Sequence, residues 1–125
     1  MNINDVSGQV IDAAIKVHRT LGPGMLESAY EACLLFELHR RGLRAANQVE
    51  MPIIYESVKI DVGYRLDVVV EQAVIIEIKA VRELLPIHQA QLLSYLRVSD
   101  LRLGLLINFH ELKLKDGIVR LVNKL

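Results

Sequence analysis

The chain has 125 residues, 52% of them apolar and 24% charged, and its 15 Lys+Arg against 15 Asp+Glu leave a formal net charge of zero. This is the size of one domain able to bury a core without disulfides or a structural metal, so residues 1–125 are expected to fold as a single unit. Zero net charge excludes a global field steering the molecule towards phosphate, and any nucleic-acid partner must be held locally.

Over residues 5–20, Val6, Val10, Ala13, Ala14 and Val17, with Leu21 just beyond, recur at helical steps and predict a helix capped by Asn4 or Asp5. Asp5, Asp12, Lys16 and Arg19 interleave with them, an amphipathic pattern that does not resemble an export signal. Gly22-Pro23-Gly24 ends this helix, and a second is expected from near Met25 to the Arg40-Arg41-Gly42 stop. Together they predict an N-terminal helical hairpin. Cys33, the lone cysteine, lies in the second helix among apolar neighbours and suits a reducing, cytoplasmic setting.

After Arg44 the apolar period changes from 3.6 to 2. Strands are predicted at 48–55, 58–62, 65–70 and 74–80, a helix at 86–98 opened by Pro86, and a nearly continuous apolar strand at 103–109. A last weak pair, 113–115 and 118–122, closes around Asp116-Gly117. The stretch 66–81 is the most apolar, but Asp67, Glu71, Gln72, Glu77 and Lys79 interrupt it, far short of the about 20 apolar residues of a membrane span. The strand–helix–strand unit 74–80, 86–98, 103–109 must join in parallel with right-handed sense, which predicts an α/β fold with a mixed β-sheet flanked by helices.

The chemistry concentrates in 64–79. Alternation places Glu77 and Lys79 on one face of their strand. A two-residue turn at Glu71-Gln72 would set Asp67 opposite Ile76, whereas a three-residue loop, 71–73, sets it opposite Glu77. The longer loop is preferred, because it leaves Leu66, Val68, Val70, Val74, Ile76 and Ile78 as a wholly apolar second face. Two facing carboxylates repel by about 4 kcal/mol at ~4 Å in an effective dielectric near 20, which calls for a positive group between them. Lys79 can neutralise one charge. A divalent cation answers the geometry better, and with no Cys/His clustering a hard ion such as Mg²⁺ or Mn²⁺ suits these oxygen donors more than zinc does.

Asp67 followed by Glu77-Ile78-Lys79 resembles the D…(D/E)-x-K signature of the PD-(D/E)xK nuclease superfamily, with Leu66 in place of its proline. Gly24-Met25-Leu26-Glu27-Ser28-Ala29-Tyr30 resembles the G-x-x-E-x-x-Y motif of a bacterial family of this size. Gln91-Leu92-Leu93-Ser94-Tyr95 is similar to the Q-x-x-x-Y helix motif of RecB-like nucleases. The resemblance spans 5–123 and implies a restriction-endonuclease-like core carrying a Mg²⁺- or Mn²⁺-dependent phosphodiesterase that acts on nucleic acid, DNA before RNA. It implies Asp67, Glu77 and Glu27 as metal ligands, joined by the carbonyl of Ile78, and Lys79 as the residue that orients the attacking water. It further implies Gln91 and Tyr95, which share a stripe with His88 on their helix, as contacts of the substrate phosphate or as residues that position Lys79. Tyr30 and Tyr95 themselves read as core aromatics whose hydroxyls reach the site.

Two other readings of the sequence are a non-catalytic accessory subunit that keeps the nuclease fold and docks a larger nucleic-acid machine, and a homo-oligomer built on the apolar edge around Phe109 or on the C-terminal strand. The basic clusters His39-Arg40-Arg41 with Arg44, and Lys113, Lys115, Arg120 and Lys124, are candidate phosphate patches for backbone contacts only.

Overall fold

A computed structural model describes residues 1–124. Helix α1 (Ile3–Leu21) is capped by Asn2, whose side chain accepts the Asp5 amide at 2.9 Å, two residues ahead of the expected cap. Asp5 therefore sits in the first turn, where the helix dipole favours a carboxylate. Helix α2 (Glu27–Arg40) starts without a side-chain cap. The loop before it is pinned instead by Tyr30, whose hydroxyl donates to the Gly22 carbonyl and accepts the Met25 amide at 3.0 Å. Gly24 turns the chain there at φ 109°, a conformation that side chains disfavour. The G-x-x-E-x-x-Y spacing is thus a local device: the glycine makes the turn, the tyrosine locks it, and Glu27 is left at the helix start.

Seven strands follow: β1 (Ala45–Glu50), β2 (Ile53–Tyr55), β3 (Val58–Ile60), β4 (Arg65–Val70), β5 (Val74–Lys79), β6 (Leu103–Asn108) and β7 (Ile118–Val122), with α3 (Pro86–Ser99) between β5 and β6. The main sheet has the order β1-β4-β5-β6-β7. Only β5 and β6 pair in parallel, across the α3 crossover. β2 and β3 form a separate hairpin, so the single strand expected at 48–55 is two, divided at Met51-Pro52, where proline lacks an amide for the ladder. The turn Glu56-Ser57 closes that hairpin with both residues at positive φ, without a glycine. The strand expected at 113–115 is instead a 3₁₀ turn, Leu114–Gly117, with Leu114 buried under the sheet edge.

The core has two layers. One face of the sheet packs Val68, Val70, Val74, Ile76 and Ile78 against Val10, Ala14, Tyr30 and Leu34 of the helical hairpin. The other packs Ile75 and Leu106 against Leu92 and Leu96 of α3. Leu66 belongs to this second layer and not with Val68, which corrects the expected all-apolar face. The two-residue alternation of β4 fails at Asp67. In β1 the same switch separates Ala45 from Val49, and between them Gln48 takes φ 51° and donates to Glu31 at 2.8 Å. Phe109, expected on an apolar edge, is fully buried and stacks on Tyr30 with ring centroids 4.5 Å apart. Among the described residues no helix is long and apolar enough to cross a membrane.

Candidate active site

The three-residue loop 71–73 sets β4 against β5 in the register Val70↔Val74, Val69↔Ile75, Val68↔Ile76. The next pair in that register is Asp67 with Glu77, and there the ladder opens. The Asp67 amide donates to Glu77 Oε2 at 2.9 Å, and the Ile78 amide donates to Asp67 Oδ2 at 2.8 Å. Each carboxylate takes the place of a backbone carbonyl on the opposite strand, so the two acids are fixed by main chain on both sides. Glu77 is buried, 7% exposed, and Asp67 half-buried.

Glu27 reaches the same place from the first turn of α2, where its carboxylate accepts the Ala80 amide at 3.1 Å, one residue beyond Lys79. Glu31, one turn further along α2, joins Glu27, Ser28, Gln48, Asp67 and Ile78 around a cleft of about 380 Å³. Lys79 is half-buried and forms no ion pair among the described residues.

The charges explain the titration of the acids. Burial raises Asp67 above its ordinary value; the Ile78 amide opposes this, Glu31 and Glu27 add to it, and Lys79 opposes it. Glu77 is pushed up to about 7, first by burial and then by the Asp67 charge, against the Asp67 amide and Lys79. The site is therefore short of positive charge.

Among the described residues no three His, Cys, Asp or Glu side chains are placed to hold a metal ion together. The oxygen donors present are nevertheless of the type a hard divalent cation takes. Asp67, Glu77 and Glu27 each commit one oxygen to a backbone amide, and the hydrogen bonds of the described residues leave the other unengaged. Such all-oxygen donors under mutual repulsion are what Mg²⁺ or Mn²⁺ binds.

Gln91 and Tyr95 lie on α3 beside a second cleft with Tyr64, and the Tyr95 hydroxyl is raised by burial first, then by the charge of Glu77, by Tyr64 and by Asp67. His88 is turned to its own helix, where Nδ1 accepts the Leu85 amide at 3.0 Å. Tyr30 is fully buried, its hydroxyl spent on the Gly22–Met25 loop, and it does not reach the cleft.

Two residues escape the sequence reading. Glu31 is signalled only by its i+4 spacing from Glu27. Asn108 is the one polar side chain in the run 103–109 and is fully buried. Its Oδ1 accepts the Val81 amide at 3.0 Å and its Nδ2 donates to the Val81 carbonyl at 2.9 Å, which clamps the chain just after Lys79 and Ala80. The first basic cluster is engaged within the molecule: Arg41 pairs with Asp12 at 2.6 Å, Arg40 with Glu37 at 3.4 Å and Arg44 with Glu71 at 3.3 Å.

A mixed five-stranded sheet with a helical hairpin on one face, a crossover helix on the other and paired acids where two central strands part defines a restriction-endonuclease-like α/β fold. The family model of the PD-(D/E)XK nuclease superfamily matches residues 4–121, and the chain belongs to that superfamily. Searches of curated proteins and of solved structures found no significant match.

Proposed function

We propose that the protein is a Mg²⁺- or Mn²⁺-dependent phosphodiester hydrolase of nucleic acid, DNA in the first instance, working in the reducing cytoplasm that its lone Cys33 suits. The observation that carries this reading is the interlocked Asp67–Glu77 pair with the Lys79 ammonium, unpaired among the described residues, acting on both acids, in a chain of the PD-(D/E)XK nuclease superfamily. Asp67, Glu77 and Glu27 would hold the ion through their unengaged oxygens, with the Ile78 carbonyl as a further donor. A divalent ion bound there supplies Lewis-acid polarisation of the scissile phosphate and a more acidic water.

The chain's own residues do the rest. Lys79 donates to the attacking water to orient it in line and offsets negative charge as it builds on the phosphoryl oxygens. The backbone amides of Asp67, Ile78 and Ala80 fix the acids before substrate arrives. Gln91 and Tyr95 face the substrate from α3. Attack by water in a single displacement, without a covalent intermediate, is the step proposed.

The test is degradation of plasmid and single-stranded DNA with Mn²⁺. Wild type is expected to degrade them and Lys79→Ala to be at least about 100-fold slower, the scale of losing one charge-stabilising donor. Equal degradation by both would overturn the reading. The accessory-subunit reading has one observation in its favour, the engagement of Arg40, Arg41 and Arg44 in internal ion pairs. It predicts no degradation by either protein.

A further inference from the structure

The α3 side of the site has a wall of a different character from its acids. Tyr64, 45% exposed, stands three residues before Asp67, and its ring centroid is 6.0 Å from that of Tyr95 at an interplanar angle of 56°. The two rings border a cleft of about 230 Å³ completed by Ile87, Ala90, Gln91 and Ser94. None of these six side chains carries a cation. The nearest in sequence, Arg65, lies 3.8 Å from Glu50. A wall with no positive charge lacks the electrostatic attraction that dominates binding of a phosphate backbone. It does offer an aromatic face, small apolar sides and, from Gln91, an amide with both donor and acceptor. The Tyr64 carbonyl accepts the Met51 amide at 2.9 Å, so the ring projects from a fixed backbone.

We propose that this cleft is a nucleobase subsite: one unpaired base stacks on Tyr64 with its edge against Gln91, and the enzyme takes its substrate as a single strand or an unpaired end. This rests on the hydrolase reading for its geometry. Three residues of strand separate Tyr64 from Asp67 by roughly 10 Å, which sets the base of a nucleotide at or beside the phosphate held by the acids. A base inside a duplex is stacked on both faces and cannot present one to Tyr64, whereas a single strand does so without unpairing.

Fluorescence anisotropy in EDTA, where no cleavage occurs, tests the subsite apart from the chemistry. The probes are labelled oligothymidylate, the same strand annealed to oligoadenylate, an abasic strand of equal length, and oligouridylate. The single strand is expected to bind at least about 10-fold tighter than the duplex or the abasic strand. Tyr64→Ala should weaken it by roughly 5- to 100-fold, the range of one base–aromatic stack, and Tyr64→Phe should keep it. The uridylate arm assigns the sugar: the proposal stands if either DNA or RNA single strands behave this way. It is overturned if duplex and abasic strands bind as well as intact single strands, or if Tyr64→Ala binds like wild type. Because these arms contain no metal, a failure here leaves the Lys79→Ala degradation result intact, and a failure there leaves the stacking result intact.

Discussion

The backbone amide of Asp67 donates to the carboxylate of Glu77 at 2.9 Å, so the main chain holds together two acids whose charges repel. Burial, and after it the Asp67 charge, push the Glu77 carboxyl up to about 7 from 4.5, against the lowering effect of that amide. The folded, metal-free protein then keeps a proton that the unfolded chain releases. Stabilisation from this group is fully present below about pH 4.5 and is lost as pH rises through about 7, on the order of 3 kcal/mol in all. Asp67, raised by burial, acts in the same direction. Urea unfolding of metal-free protein should therefore show wild-type stability falling relative to Glu77→Gln across pH 5 to 8. Parallel profiles for the two proteins would contradict the assignment.

A divalent ion held as proposed would offset that penalty. If it binds the ionised acids of the folded state alone, saturating Mn²⁺ at about 100 times its dissociation constant should add about 2.7 kcal/mol, roughly 10 °C in melting temperature for a chain of this size. Asp67→Ala should show no shift. Since the ion competes with the Glu77 proton, its affinity should rise between pH 6 and 8. Calorimetric titration with no heat at pH 8 would remove the metal from the proposed mechanism.

Much of this site was legible because period, loop length and residue type agreed: the three-residue loop 71–73 alone set Asp67 against Glu77. What the period could not convey was the break in it. Leu66 crosses to the α3 layer where Gln48, a residue with no conformational signature, takes a left-handed backbone, drops out of the β1–β4 pairing and donates its side chain to Glu31. A long-range hydrogen bond leaves no trace in local alternation. His88 and Tyr30 lie on α3 and α2 as expected, but a nearby backbone amide engages His88 Nδ1 and the Gly22–Met25 loop engages the Tyr30 hydroxyl, contacts that helical spacing does not convey.

Asn108 offers a test of how the end of β5 is held. Its amide makes both bonds to Val81, and its own backbone leaves no room behind it: a Cβ added to Gly117 would lie 2.6 Å from the Asn108 carbonyl oxygen. Asn108→Ala leaves the half-buried Val81 amide and carbonyl without that partner and should cost about 1–3 kcal/mol in urea unfolding. Gly117→Ala should cost about 1–3 kcal/mol by overpacking. If Asn108 positions the Ala80 amide that Glu27 uses, Asn108→Ala will also weaken Mn²⁺ binding under conditions where the variant is fully folded. Unchanged affinity would make Asn108 structural only.

Lys79 should separate chemistry from metal binding. It is the cation that favours the ionised forms of both Asp67 and Glu77, and among the described residues it forms no ion pair. Removing it takes a like charge away from the ion's neighbourhood, so Lys79→Ala should bind Mn²⁺ as tightly as wild type or up to about 10-fold more tightly. Asp67→Ala should abolish binding. Both variants are expected to lose degradation, for opposite reasons: one retains the ion and lacks the group that orients water, while the other lacks the ion. If Lys79→Ala instead loses the Mn²⁺-induced rise in melting temperature, the lysine supports the fold of the acid pair and its proposed part in the displacement step is wrong.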